Sequence, residues 1–271
     1  MSASAPRRQV LSVRGDERRV RRDRLAAEEP MEIRVTDPSG VTVPVAVTMR
    51  TPGDDFALAA GFLVTEGVVE PGSIRRVAYC DDVEGEQLFN VVTVTTTAAA
   101  VIGEARRVAA TSACGICGTT SLDEVEVRCA PLAAGPVLTR GVLLGLPGAL
   151  RAGQRVFDQT GGLHAAGLFD PGGALLCVRE DIGRHNAVDK VVGVAALDDA
   201  LPLADRALMV SGRAGFEIVQ KAAVAGIGLV ASVSAPSSLA ADAAERFGLT
   251  LVGFLRGDGY NVYTHPERIL G

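Results

Sequence analysis

Cys114 and Cys117 stand in the segment Thr111-Ser112-Ala113-Cys114-Gly115-Ile116-Cys117-Gly118-Thr119-Thr120, two thiols three residues apart among glycines and small polar residues. A cysteine used for packing has apolar neighbours, whereas Gly115 and Gly118 leave both sulfurs and their backbone amides open to approach. A thiolate so placed can attack a sulfur, and a thiol beside it can resolve the product as a disulfide. Ser121-Leu122-Asp123-Glu124 has the capping-box pattern, so a short helix is expected beyond the second cysteine and the pair itself on a loop. A thioredoxin-like site would instead put the first cysteine at a helix N-terminus. A zinc site would need two further ligands, and Cys80 and Cys129 have no partners at metal-ligand spacing. Deaminase-type zinc hydrolases pair P-C-x-x-C with His-x-Glu, but Ala113 precedes Cys114, while Ala166 and Ala187 stand two residues after His164 and His185. The glutamate that moves protons is missing, and no zinc is expected. Cys80, Cys129 and Cys177 read as buried thiols.

A second group of polar residues falls where strands should end. Ser211-Gly212-Arg213, Ser234-Ala235-Pro236-Ser237-Ser238 and Arg256-Gly257-Asp258-Gly259 each follow a short apolar run. Ligands of open α/β sheets collect at the carboxyl ends of strands, where helix N-termini offer free amides to anions. Glycine lets backbone approach a phosphate, the serines donate hydrogen bonds, and Arg213 and Arg256 supply charge, so this edge reads as a nucleotide or phosphate site. Tight turns and helix caps use the same residues, which is the alternative at each loop. Glu180-Asp181-Ile182-Gly183-Arg184-His185-Asn186 closes a hairpin and opens a helix. His185 there, like His164 after Gly161-Gly162-Leu163, reads as a structural or ligand-positioning group before a general acid or base.

The elements that must hold these groups follow from periodicity. Residues 1–29 form an arginine-rich lead-in, expected as a tail over the first eight residues and then an irregular hairpin or further tail. Met31, Ile33 and Val35, then Val41, Val43, Val45 and Val47, alternate around Asp37-Pro38-Ser39-Gly40 as a hairpin. Thr51-Pro52-Gly53-Asp54 starts a helix that Gly67 ends, and 88–97 reads as a strand, giving a small α+β unit over 30–135 that ends in the cysteine loop. Beyond Pro136 come a helix near 143–152, a hairpin of strands 163–169 and 174–179, and three alternations. These are helix 186–197 with strand 207–211, helix 215–225 with strand 228–232, and helix 238–247 with strand 250–254. Strands separated by such helices need parallel crossovers, so 136–271 is expected to be an α/β unit with helices on both faces of a mixed sheet.

The chain's 271 residues, 48% of them hydrophobic, suit one or two globular domains. A formal charge of −5 gives no global attraction to nucleic acid, and with only Lys190 and Lys221 as lysines any basic cluster must be arginine. The longest weakly polar run, 222–233, is short of the about 20 apolar residues a membrane span needs. Met1 to Leu25 holds eight arginines and no apolar export region, and five cysteines make no even disulfide framework. A cytoplasmic protein is expected, with neither a nucleic-acid nor a membrane partner.

Taken together, several blocks resemble one family. They are Met49-Arg50-Thr51-Pro52-Gly53-Asp54-Asp55, Gly61-Phe62-Leu63-Val64-Thr65-Glu66-Gly67, the C-G-x-C-G loop and Thr160-Gly161-Gly162-Leu163-His164-Ala165-Ala166. Asp181 to Lys190, Ser211-Gly212-Arg213 and Ser234-Ala235-Pro236 complete the set. In order from about Glu28 to the C-terminus, they resemble the formate dehydrogenase accessory sulfurtransferase family, FdhD. The resemblance implies a maturation factor that takes sulfur from a cysteine desulfurase and delivers it to the molybdenum cofactor, bis-molybdopterin guanine dinucleotide, before formate dehydrogenase receives it. It implies a homodimer, a cytidine deaminase-like three-layer C-terminal domain with a mixed sheet beside a smaller N-terminal α+β domain, and a guanine nucleotide such as GDP as mimic of the cofactor. On this chain, Cys114 and Cys117 match the motif cysteines, with Cys114 favoured as persulfide carrier and the reverse assignment open. Phe254, Leu255, Arg256, Gly257, Asp258 and Gly259 match the family's cofactor-binding stretch, joined by Ser211, Gly212, Arg213, Ser234, Arg184 and His185 from the strand-end reading. Two other readings stand: a chaperone that binds the guanine dinucleotide without handling sulfur, and a zinc hydrolase of the deaminase type.

Overall fold

Alternating apolar residues build the first sheet. In a computed structural model that describes residues 4–81, 89–101 and 130–271, β3 (Glu29–Thr36) turns Met31, Ile33 and Val35 to one buried face. It pairs antiparallel with β4 (Thr42–Arg50) and parallel with β6 (Val91–Thr96), and β5 (Ile74–Tyr79) closes the order β4-β3-β6-β5. Strand β5 is the one element here that sequence reading omitted, because Arg75-Arg76 breaks its apolar alternation. Helix α1 (Asp55–Thr65) covers the buried face. Asp54 does not cap it with its side chain and pairs with Arg179 at 3.3 Å, while Asp55 turns inward to Arg50.

The second half follows the expected alternation closely. After β7 (Leu138–Thr139) come α2 (Arg140–Gly153), the single turn α3 (Phe157–Thr160), β8 (His164–Phe169) and β9 (Leu175–Asp181). Then follow α4 (Arg184–Leu197), β10 (Ala207–Val210), α5 (Phe216–Val224), β11 (Leu229–Ser232), α6 (Ser238–Phe247), β12 (Thr250–Arg256), β13 (Gly259–Thr264) and β14 (Ile269–Leu270). A six-stranded mixed sheet runs β13-β12-β11-β10-β8-β9, with β10, β11 and β12 parallel. Its inner strands are apolar on both faces. Leu208, Val210, Val230 and Leu251 join the core under α4, α5 and α6, while Ala207, Met209, Leu229, Ala231 and Val252 pack with Leu143, Leu146 and Leu150 of α2. Helices therefore lie on both sides of the sheet.

One expectation is extended and one corrected. Arg256 to Gly259, expected as a loop after the third parallel strand, is a hairpin turn, with Gly257 at φ 61°, that leads into an antiparallel β13 absent from the sequence reading. The described part of the first eight residues is no loose tail. β1 (Arg7–Arg14) pairs with β2 (Glu17–Arg24) along their whole length, and Ser4 and Pro6 accept hydrogen bonds from Ala27 and Leu25.

The four-stranded sheet and the six-stranded sheet share one hydrophobic core through α1 and α4. The helices meet at Gly61 and Gly193. A Cβ on Gly61 would lie 1.8 Å from the Asp189 carbonyl oxygen, and one on Gly193 would lie 1.8 Å from that of Ala57. Charged groups lock the same interface. Lys190 Nζ lies 2.8 Å from Asp181 Oδ2 and donates to the carbonyls of Thr51 and Glu180, while Asp181 also accepts from the amides of Thr51 and Gly183 and from Asn186 Nδ2. Lys221 reaches Asp189 at 2.9 Å and Glu66 at 3.0 Å. Burial disfavours its ammonium, but Asp189 and Glu66 hold its pKa above the ordinary lysine value. Arg50, 1% exposed, grips Asp55 with two nitrogens at 3.0 and 3.1 Å. Tyr79 donates to Asp55 as well, and burial together with that carboxylate pushes the phenol up to about 12.

A methyl group cannot enter the α1–α4 contact without separating the helices. Gly61→Ala is expected to cost about 3 kcal/mol or more of unfolding free energy in urea denaturation. Wild-type stability in that variant would refute the close approach.

Candidate functional site

Backbone hydrogen bonds gather the three predicted loops at the carboxyl edge of the parallel strands. Ala214 and Pro236 form a parallel bridge, Ser237 N donates to Ala214 O at 3.2 Å, and Phe254 N donates to Ser234 O at 3.0 Å. The close fit leaves no room beside Gly253, where a Cβ would meet Pro236 Cδ at 2.7 Å. Ser237 accepts from Ala240 N and caps α6, so this serine serves the helix. Ser211 N donates to Ala165 O, and Ser211 Oγ accepts from Ala165 N at 2.8 Å, which leaves the hydroxyl proton free to donate. Gly212 lies against His164: a Cβ there would be 3.3 Å from Nδ1.

The candidate arginines differ in their surroundings. Arg213 is exposed and has no ion pair among the described residues. Arg256 is exposed and lies 5.9 Å from the Phe254 ring centroid. Phe254 itself has φ 54°, a left-handed conformation set by the bond to Ser234. The Leu255 side chain is wholly buried in the α2-side core, so only its backbone can face a ligand. Asp258 O accepts from Arg140. Arg184 and His185 open α4, yet both turn to one carboxylate: Glu217 Oε2 lies 2.7 Å from His185 Nε2 and 3.9 Å from Arg184 Nη2. His185, then Arg184, holds the Glu217 carboxyl below the ordinary glutamate value. Asp181, Asn186, Asp189 and Lys190 of the same block belong to the α1–α4 interface instead.

Beside this edge is a cavity of about 500 Å³ that sequence reading missed. It is lined by Pro147, Leu150 and Arg151 of α2, Gln154 and Phe157, the stretch from Gly161 to His164, Ser211 and Val233. Its size suits a small ligand, and its walls combine apolar side chains with a few converging polar groups. Glu180 builds one wall by accepting from the amides of Val156 and Phe157 at 2.8 and 2.7 Å, which fixes α3. Arg151 spans the Phe157 ring at 4.8 Å and pairs with Asp158. Gln154 is 4% exposed as a whole, and its carboxamide, which has no hydrogen-bond partner among the described residues, is not fully buried but opens onto the cavity. A carboxamide that opens onto a cavity without a protein partner suits a ligand edge that carries both a donor and an acceptor. No sequence signal marks Gln154, because only the fold shows that it lacks a partner.

Cys114, Cys117 and Cys129, with the expected capping box at Ser121, lie outside the described residues. Cys80 and Cys177 are half-buried rather than buried, and burial pushes the Cys177 thiol up. Among the described residues no group of three or more His, Cys, Asp and Glu side chains could hold a metal ion, and no helix is long and apolar enough to cross a membrane.

Burial, then the charges of Arg184 and His185, lowers the pKa of His164 from its ordinary 6.5. The unfolded chain therefore takes up a proton at a pH where the folded chain resists it, and stability declines as pH falls from 6.5 to the folded value. His164→Asn should remove that part of the slope in unfolding midpoints measured between pH 7.5 and 5. An unchanged slope would show that His164 is not the group responsible.

Comparison with known proteins agrees with this architecture. "Sulfur carrier protein FdhD" of Streptomyces coelicolor is 51% identical over 278 residues, covering 99% of this chain and 97% of the relative. The protein of the same name from Mycobacterium tuberculosis is 46% identical, covering 99% of this chain and all of the relative. A crystal structure from Desulfotalea psychrophila, described as a formate dehydrogenase accessory protein, superimposes with a TM-score of 0.78 at 27% identity, covering 99% of this chain and 100% of that one. The FdhD/NarQ family pattern matches residues 26–270, and the chain belongs to that family.

Proposed function

We propose that this protein is a cytoplasmic sulfurtransferase. It carries sulfur as a cysteine persulfide from a cysteine desulfurase to bis-molybdopterin guanine dinucleotide, which formate dehydrogenase then receives. The observation that carries this reading is the combination, in a chain related to sulfur carriers, of a glycine-flanked C-x-x-C with an arginine-bearing carboxyl edge beside a cavity. The Cys114 thiolate attacks the outer sulfur of the desulfurase persulfide. A new S–S bond forms on Cys114, the old one breaks, and the desulfurase leaves as a thiolate. For delivery, the Cys117 thiolate attacks Cys114 Sγ. The inner S–S bond breaks, hydrosulfide passes to the molybdenum centre of the cargo, and the Cys114–Cys117 disulfide that results is returned to two thiols by a small thiol reductant.

On this reading the cargo's phosphates lie against Ser211 to Arg213, Ser234 and the Phe254–Gly259 turn, where Arg213 and Arg256 offer planar forks to anions. A guanine ring, whose edge pairs an N–H with a carbonyl, suits the Gln154 carboxamide in the adjoining cavity, and GDP mimics that part of the cargo. The six-stranded sheet with helices on both faces supports a cytidine deaminase-like C-terminal domain over 136–271 beside the smaller α+β domain. The working form is a homodimer, and no zinc takes part.

Incubation with a cysteine desulfurase and sulfur-labelled cysteine should place one labelled sulfur on the Cys114–Cys117 peptide, read by mass spectrometry. Cys114→Ala should abolish it, and at least one of Cys114→Ala and Cys117→Ala should fail to mature formate dehydrogenase. If both variants still mature the enzyme, the protein is a cofactor chaperone and the sulfur chemistry is wrong. For the cavity, GDP binding measured by calorimetry should weaken about tenfold in Gln154→Leu, the scale of a lost hydrogen-bonded pair, with pyrophosphate binding unchanged. Arg213→Ala should weaken both ligands. Undiminished GDP binding in Gln154→Leu would move the base elsewhere.

A further inference from the structure

The β1–β2 hairpin serves neither the site nor the core, and its composition is unlike the rest of the chain. Between Arg7 and Arg24 it carries eight arginines against Asp16, Glu17 and Asp23, a net charge of +5 in a chain of −5, so the remainder carries −10. The pairing register separates its two faces. Arg8, Val10, Ser12 and Arg14 share one face with Glu17, Arg19, Arg21 and Asp23, and the ion pairs Arg19–Glu17 and Arg21–Asp23 both lie there. The opposite face holds Arg7, Arg18, Arg22 and Arg24, no acidic residue, and an aliphatic patch in which Leu11 lies directly across from Val20 and beside Val13. That patch is open: Leu11 is 59%, Val13 55% and Val20 60% exposed. Arg7, Arg18 and Arg22 make no ion pair or side-chain hydrogen bond among the described residues.

A two-stranded ribbon with no third strand is at best marginally stable in water, and an unpaired strand edge is a template for another chain. This ribbon has no third strand among the described residues. Its base is nevertheless fixed beside the candidate site. Arg24 donates to Gln159, which follows Phe157 on α3, and Ala26 Cβ lies 3.3 Å from where Gly162, a cavity-lining residue, would carry its own Cβ. The hairpin thus projects from the rim of the cavity. The family match starts at residue 26, after it.

We propose that the acid-free face of the β1–β2 hairpin is a docking arm for an acidic protein partner, which it holds against the rim of the site. Arginine forks take the partner's carboxylates, and Leu11, Val13 and Val20 take its aliphatic side chains. Complementary charge steers the encounter, and the body's −10 repels such a partner everywhere else. Nucleic acid fits the arginines but not the patch, since the hairpin holds no aromatic ring on which a base could stack.

The probe is a fluorescein-labelled twelve-residue peptide of alternating glutamate and valine, titrated by anisotropy with the full-length protein. Binding is expected to weaken with added salt and to fall at least tenfold in Arg7→Glu/Arg18→Glu/Arg22→Glu. It should fall severalfold in Leu11→Ser/Val20→Ser, which leaves the charge intact. Both variants alter exposed side chains only and should keep the wild-type melting temperature and GDP binding. The proposal is overturned if the peptide binds both variants as it binds wild type. It is overturned equally if a twelve-nucleotide oligouridylate binds more tightly than the peptide and ignores the Leu11/Val20 change, or if the variants alter only self-association in sedimentation. The peptide titration needs no desulfurase and sulfur labelling of the wild-type protein needs no peptide, so failure here is distinguishable from failure of the sulfur-transfer reading.

Discussion

The crossing of α1 and α4 at Gly61 and Gly193 governs the rest of this architecture. Two helices can approach until each backbone carbonyl occupies the place of the other's missing Cβ only where both positions are glycine. That approach brings Thr51, at the end of β4, onto Asp181, at the end of β9, and makes one core of residues from two sheets. It also brings charge into the interior. Both lysines of the chain lie in this interface, each with a carboxylate within 3 Å, and removing either partner would leave a buried charge without compensation. Such pairs add little to net stability compared with apolar packing, but a shift of α1 against α4 would separate Lys221 from Glu66 or Asp189 and leave a buried charge unpaired.

Fixing that register places the candidate edge. Asp181 ends β9 and accepts from Gly183 and Asn186, so the same carboxylate that anchors Lys190 also shapes the start of α4 and presents Arg184 and His185 to Glu217. On the far side of Gly212, His164 and Ser211 border the α2-side cavity. The edge therefore has an electrostatically balanced part, where Arg184 and His185 face a carboxylate, and an unbalanced part, where Arg213 and Arg256 face solvent. Anions are drawn to the second. The cavity meets the edge at Ser211 and has apolar walls with one carboxamide that lacks a protein partner, an arrangement suited to a ligand with a flat, polar-edged end.

Sequence reading captured the C-terminal half well, for reasons that lie in particular residues. Strands of four residues buried on both faces, such as Ala207–Val210, can only be central parallel strands between helices, and Ser237 with Gly248 marks both ends of α6. It is incomplete where a local signal has two meanings. Arg256-Gly257-Asp258-Gly259 has the composition of a ligand loop and is also a hairpin turn, and the alternation of Tyr260, Val262 and Thr264 is too modest to mark the strand that follows. The block from Asp181 to Lys190 held two roles at once. Arg184 and His185 face the edge, whereas Asp181, Asn186, Asp189 and Lys190 serve the helix interface, a division that appears only once α1 is in place. Gln154 was invisible for a similar reason, since a glutamine becomes informative only when the fold buries it and supplies no partner.

The central claim is that sulfur held on the Cys114–Cys117 pair passes to a cargo seated at the carboxyl edge. Its most direct test is a single-turnover chase: protein loaded with labelled sulfur by the desulfurase, freed of it, and mixed with bis-molybdopterin guanine dinucleotide. The account predicts that label leaves the Cys114–Cys117 peptide and appears on the cofactor, and that excess GDP, by occupying the edge, slows the transfer. Label that stays on the peptide, or that leaves equally fast with no cofactor present, would contradict it.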